Sequence, residues 1–349
     1  MNRIKRIIPT DESARNAAHE RWNSVAKPLG SLGLLEKAAE KIAAITGSEN
    51  VDISKRAVVV MCADNGVVCE GVTQSDSSVT AICAKAIAEG TSNINRMAQT
   101  FGAEVLAVDI GINRDVECSG LLKRKIAYGT DNIAVGPAMT VSQAEQAIAV
   151  GMDIVRDLKD KGVKIIVTGE MGIGNTTTAS ALSSVLLDLP PRSVTGRGAG
   201  LDSEALKRKI EVVERAIAVN KPDINKPVEL LAKLGGFDIA GMTGLFLGGA
   251  YYHIPVVIDG VISGAAAALA CGINPIAAEY MLPSHVSGEP AGKLLLEKIG
   301  LKPLITAEMR LGEGTGGVLL LPMLDGALSV YEHAHRFEDI SIERYSELK

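Results

Sequence analysis

Three glycine-bounded stretches hold the residues best suited to chemistry. The first spans residues 164–178, KIIVTGEMGIGNTTT. An apolar run leads into a glycine loop and then into a polar segment able to start a helix. The stretch approaches the triphosphate loop G-x-x-x-x-G-K-[ST], with Gly169 and Gly174 at the glycine positions. Asn175 stands where that loop needs a lysine against the β- and γ-phosphates. A phosphate monoester has no such need, because backbone N–H groups and a helix N-terminus suffice. The residues therefore read as a monoester cradle, with hydroxyl donors from Thr176 and Thr177. Glu170 would repel a phosphate and calls for another role. The same stretch also reads as a plain glycine turn with ordinary helix caps.

The second stretch is GRGAGLD, residues 196–202, followed by the basic trio Lys207, Arg208 and Lys209. Glycines with nearby cations suit an anionic substrate; a solvated basic helix face fits equally well. The third is RLGEGTGG, residues 310–317. It matches G-x-G-x-x-G formally, but too little chain follows to complete a βαβ unit, and no strand ending in an acidic residue appears about 20 residues on. What remains is a carboxylate, Glu313, between glycines that let a substrate come close to the backbone. That suits a general base, which needs reach first and a tuned pKa second. The structural alternative is a glutamate capping a helix at 318–324. His285 sits in a polar loop, PSHVSGE, and is the more interesting histidine; His333 and His335 read as a surface helix. No G-x-S-x-G elbow appears in a strand-turn-helix context. The acidic loop that grips a ribose pyrophosphate donor is also absent.

Positioning these loops requires a scaffold. Short continuous apolar runs at 57–63, 103–108, 163–167 and 254–258 suit strands buried on both faces of a parallel sheet. Each ends in Gly or acidic residues: Asp64-Asn65-Gly66, Asp109, Gly169-Glu170 and Asp259-Gly260. Helical patterns at 79–100, 141–160, 175–187 and 202–219 alternate with them. The expectation is an α/β fold, a Rossmann-like doubly wound parallel sheet whose ligands sit off the carboxyl ends of the strands. Residues 10–25, capped by Thr10 or Asp11, and 32–46, capped by Ser31, read as helices outside the sheet. Residues 227–282 hold two or three Ala/Gly-rich helices that suit either the core or a dimer surface. The tail after 337 reads as polar and peripheral. The division expected is 1–47 and 331–349 as a small helical domain and 48–330 as the catalytic domain.

Composition narrows the classes. The 349 residues are 47% apolar and 22% charged, which excludes whole-chain disorder and allows about two domains. A net charge of −5 with no long basic run argues against nucleic acid as a partner. Cysteines 62, 69, 83, 118 and 271 show no C-x-x-C spacing, so neither a metal site nor a disulfide framework is expected. No stretch reaches about 18 apolar residues free of breakers, so no membrane span is expected. Residues 1–9 lack the apolar core of a secretory signal. Together these read as a cytoplasmic protein.

Taken with the N-terminal KPLGSLGLLE (27–36), the loops GEMGIGNTT, GRGAGLD and RLGEGTG stand in the order and spacing of one family. Over about residues 10–340 the chain resembles the nicotinate-nucleotide:dimethylbenzimidazole phosphoribosyltransferases, which build the lower-ligand nucleotide of cobalamin. The resemblance implies transfer of 5-phosphoribosyl from nicotinate mononucleotide to a benzimidazole-type base, giving α-ribazole 5′-phosphate and nicotinate. It implies no cofactor and no metal, and a homodimer. It makes Glu313 the base that deprotonates the benzimidazole and Glu170 the stabiliser of positive charge. Phosphate and ribose would fall to Gly172, Gly174, Asn175 and Thr176, with Gly198 and Lys209 on the phosphate side. Met171, Ser287, Arg310, Leu311 and Gly312 fall in the remaining substrate loops.

The chain also departs from the family pattern. Asn65 replaces a usual His after the first strand. Ser75 is kept, but Asp76 replaces a Pro, and Cys83 replaces a Gln eight residues after the Ser. This segment lines the base pocket in relatives, and losing an amide donor and acceptor changes what the pocket can satisfy. Benzimidazole, substituted benzimidazoles, adenine or a phenol therefore stay open as the base. So do a phenol-using subunit and a non-catalytic subunit of a heteromeric pair. A nucleotide-hydrolysing P-loop enzyme is disfavoured by Asn175.

Overall fold

The apolar run of the first strand is split between two faces. In β1 (Arg56–Ala63), Ala57, Val59, Met61 and Ala63 point into one hydrophobic cluster, while Val58, Val60 and Cys62 point into another. That is the two-residue alternation of a strand covered on both sides. The computed structural model describes residues 3–346. Met1 and Asn2, at the head of the stretch read as no secretory signal, and residues 347–349 of the tail lie outside the described residues.

β1 joins β2 (Ala103–Gly111), β3 (Leu121–Lys123), β4 (Ile165–Met171), β5 (Val256–Ile258) and β6 (Met281–Pro283) in one sheet of order β3-β2-β1-β4-β5-β6. Every pairing in it is parallel. The order reverses between β1 and β4, so a crevice opens at their carboxyl ends, where doubly wound sheets bind ligands. β7 (His285–Val286) and β8 (Ile305–Thr306) form a separate parallel pair. The doubly wound α/β expectation holds. The short strands β3 and β6 were not legible as apolar runs, and β4 continues through Glu170 to Met171, past the expected end at 167.

One face is covered by α5 (Val141–Asp160), α6 (Asn175–Leu187), α7 (Ser203–Asn220), α8 (Phe237–Tyr252) and α9 (Val261–Ile273). The Ala/Gly-rich segment is core: in α8 every residue from 237 to 250 is buried. The other face is covered by α2 (Leu34–Thr46), α3 (Ser78–Ala88), α4 (Asn93–Thr100), α10 (Thr315–Val318) and α11 (Leu320–His333). The helix expected over 79–100 is thus two helices. Gly90 turns left-handed at φ +78°, and Ser92 with Asn95 forms a capping box that restarts the chain. The helix expected at 318–324 is likewise longer and broken, α10 and then α11.

α1 (Glu12–Ser24) is capped by Asp11, whose side chain accepts from the N–H groups of Ser13 and Ala14. α2 starts after Gly33, at φ +57°, without a cap from Ser31. There Glu36 accepts the Leu32 N–H at 2.9 Å and pairs with Lys27 at 2.7 Å. Trp22 packs on Tyr331 with ring centroids 4.8 Å apart, and Val25 bridges to Arg336. These contacts join the N-terminal helices to the C-terminal segment. Phe337 is buried, so the start of the tail is an anchor and not peripheral. Among the described residues no helix is long and apolar enough to cross a membrane.

Candidate active site

β4 delivers Glu170 and Met171 to the crevice, and the turn Gly172–Gly174 leads into α6. Gly174 takes φ +93° as the residue before that helix, a conformation glycine adopts without penalty. A pocket of about 190 Å³ opens here. It brings together Glu170, Met171, Gly172, Asn175, Thr176, Gly198, Ser287, Arg310, Leu311 and Gly312 of the predicted residues. A contiguous recess of about 80 Å³ adds Gly174 and Lys209 and shares Gly172, Asn175 and Thr176 with it.

The two ends of this space differ in chemistry. At one end the fully buried Lys209 donates to Thr176 Oγ1 at 2.8 Å. Gly198, at φ +52°, lies so near that a side chain there would meet Thr176 Oγ1 at 2.9 Å and Lys209 Nζ at 3.3 Å. Burial pulls Lys209 down to about 8, partly opposed by Glu289. A cation, a hydroxyl and the N-terminus of α6 converge here, a suitable cradle for a phosphate. Thr177 does not join them. It is fully buried, and its hydroxyl has no partner among the described residues.

The other end is acidic. Glu170 is 8% exposed, and its Oε2 accepts from Asn175 Nδ2. Burial, with Asp238 nearby, lifts it to about 8. A side chain on Gly312 would meet Glu170 Oε1 at 2.5 Å, so the loop carrying Glu313 passes directly over this carboxylate. Glu313 itself sits at φ +60° between Gly312 at +84° and Gly314 at +93°. A non-glycine residue in that region is strained, and such strain collects at functional sites. Glu313 is 7% exposed and does not line the pocket; its Oε2 accepts the Ile94 N–H at 3.2 Å, at the start of α4. Burial raises its pKa, the Ile94 N–H opposes that, and Asp259 adds to it. The break between α3 and α4 therefore has a use: it supplies the helix N-terminus that holds this anion.

Asp259, at the end of β5, anchors the same loop. Its oxygens accept from the N–H groups of Gly317 at 2.8 Å and Gly314 at 3.3 Å. Ser284 Oγ donates to the Ile258 carbonyl at 2.6 Å and stands 3.1 Å from His285 Nδ1. Asp259 and His285 both line the pocket. Sequence reasoning placed Asp259 only as a strand end and missed Asp238 and Glu289; nothing in their local pattern marked them.

Besides Glu313, two predicted residues stay outside both the pocket and its recess. Ser75 lies in the loop before α3, where its N–H donates to Thr73 Oγ1 at 3.2 Å. Cys83 is on α3, half-buried, and close enough to Glu313 that the carboxylate adds to the upward push of burial on its thiol. The KPLGSLG loop also lies elsewhere: Pro28, Gly30 and Gly33 line an open hollow of about 940 Å³ beside α1 and Tyr345.

A family model described as phosphoribosyltransferase matches residues 7–342. The chain is 49% identical over 342 residues to the nicotinate-nucleotide–dimethylbenzimidazole phosphoribosyltransferase of Acetivibrio thermocellus, covering 98% of this chain and 97% of that one. It is 44% identical over 348 residues to the enzyme of the same name from Clostridium acetobutylicum, covering 100% and 99%. The crystal structure of CobT from Thermus thermophilus superposes with a TM-score of 0.90 at 37% identity, over 95% of this chain and 100% of that one.

Proposed function

The chain belongs to the nicotinate-nucleotide–dimethylbenzimidazole phosphoribosyltransferase family, and on that premise we propose how its residues divide the work of the transfer. The protein is a phosphoribosyltransferase of cobalamin lower-ligand activation. The 5-phosphoribosyl group passes from nicotinate mononucleotide to a benzimidazole-type base, giving α-ribazole 5′-phosphate and nicotinate. A base nitrogen attacks C1′ as the bond from C1′ to the pyridinium nitrogen breaks, and that electron pair neutralises the departing ring. The donor is β and the product α, so the displacement inverts C1′. The other ring nitrogen of the base gives its proton to Glu313.

The observation that carries this division is the polarity of the crevice. Lys209 and Thr176 stand at one end, and Glu170 with the Glu313 loop stands at the other. The phosphate goes to Lys209, Thr176, Gly198 and the turn Gly172–Gly174. The cationic pyridinium and the C1′ that gains charge go to Glu170, whose carboxylate would stabilise positive charge at that end of the crevice. Met171, Leu311 and Gly312 border that end, with Ser287 and Arg310 at the rim. Ser75 and Cys83 belong to the base side, reached through the Cys83–Glu313 approach. The segments 1–47 and 331–349 form one unit against 48–330, a reading supported by the Trp22–Tyr331 packing. A cytoplasmic homodimer is the assembly that the family resemblance supports.

Glu313→Gln tests the division. It should lower kcat by roughly 10²–10⁴, the usual scale for a general base, with donor affinity changed only a few-fold. Unchanged turnover would remove Glu313 from the role of general base.

A further inference from the structure

Asp238 opens α8 and has no part in the division above. It is fully buried, and its Oδ2 accepts from Asn175 Nδ2 at 3.0 Å. The same amide nitrogen donates to Glu170 Oε2. One neutral amide therefore spends both its protons on two buried carboxylates. Neither carboxylate is paired with a Lys, Arg or His among the described residues. The acidic groups that bear on the pair come from several elements: Asp259 from β5 and Glu313 from its loop on Glu170, and Asp64 from the end of β1 on Asp238. Space around Asp238 is closed. A side chain on Gly172 would meet Asp238 Oδ2 at 2.7 Å, and one on Gly236 would collide with Asp238 Oδ1 and Asn65 Oδ1. No room remains there for a hydrating shell.

Two anions held this way repel, which favours a proton on one of them, although the Ile239 N–H, 3.0 Å from Asp238 Oδ1, favours the charged form of Asp238. We propose that Asp238 is a positioning residue for the transfer: with Asn175 it forms a one-proton pair with Glu170, and the cationic donor supplies the missing positive charge and drives that proton to solvent. The role rests on the placement of the donor's pyridinium at Glu170. In the free protein the shared proton lets two carboxylates occupy a dry compartment. In the complex the pair becomes fully anionic opposite the pyridinium, so at neutral pH full charge is present only when the donor is bound. Burial dominates both groups, holding Asp238 up at about 6 and Glu170 at about 8, so the pair changes charge within the neutral range.

The test is the dissociation constant of nicotinate mononucleotide against pH, by calorimetry without a base acceptor. Lys209 and the donor phosphate titrate alike in every variant and cancel in comparisons. In the wild type, affinity should fall on the acid side as the pair takes up its proton. Asp238→Asn should move that acid limb down by about one pH unit, since one like charge is gone. One unit below the wild-type limb, the variant should then keep roughly five-fold more of its own maximal affinity. Glu170→Gln should abolish the limb. Asn175→Ala removes the shared donor and should move the limb up, which gives a reading even where Asp238→Asn does not fold. A limb unmoved by Asp238→Asn and Asn175→Ala, or one retained in Glu170→Gln, overturns the proposal. Turnover of the wild type with an added benzimidazole is measured alongside. Its absence would count against the activity itself, whereas turnover with an unmoved limb counts only against Asp238.

Discussion

At the scale of single residues, the site is built from charges made costly by burial. Glu170 is held at about 8, where an ordinary glutamate lies near 4.5. The folded chain thus keeps a proton that the unfolded chain releases across that window, so this group makes stability fall as pH rises from about 4.5 to 8. Glu170→Gln removes that dependence. At pH 8 the variant should melt above the wild type by roughly 2–4 °C, and the gap should close at pH 4.5. Thermal unfolding at the two pH values checks it, and a variant less stable at pH 8 would show that Glu170 is held as a satisfied anion. Glu170 and Glu313 were legible in the sequence because a carboxylate inside a glycine loop is conspicuous. Asp238 was not. It sits at the start of an apolar helix, and only the fold brings it 3.0 Å from the Asn175 amide.

At the scale of elements, the strands of the sheet centre announced themselves as apolar runs, because a strand buried on both faces has no polar side to show. The edge strands β3 and β6 are three residues each and carry too little pattern to stand out. The restart of the chain at Ser92 was missed because apolar spacing continues on either side of it, yet that restart creates the helix end that holds Glu313. The Ala/Gly-rich helices could not be assigned to core or surface from composition, since small residues serve either. The fold uses them for close approach: a side chain on Gly244 of α8 would sit 3.0 Å from the Gly151 Cα of α5 and collide with the Ile148 carbonyl. Gly244→Ala should therefore destabilise the protein by about 1–3 kcal/mol through overpacking. Denaturant unfolding reads this directly, and a neutral result would mean that the two helices can separate without cost.

At the scale of the whole molecule, the strand order sets the function. The reversal between β1 and β4 places a phosphate cradle and an acidic cluster within one crevice, although their residues are spread from Glu170 to Glu313 along the chain. The sequence announced the parallel sheet but not its order, because order is set by which helices pack together, a long-range property. The identity of the base is the least constrained feature, since Ser75 and Cys83 lie outside both the pocket and its recess. The most direct measurement is the release of nicotinate from nicotinate mononucleotide, followed by HPLC with purified protein and dimethylbenzimidazole, benzimidazole, adenine, phenol or p-cresol as acceptor. The account predicts turnover with a benzimidazole, with one α-ribazole 5′-phosphate formed per nicotinate released. Donor binding without turnover on any acceptor, or turnover on phenols alone, would contradict it.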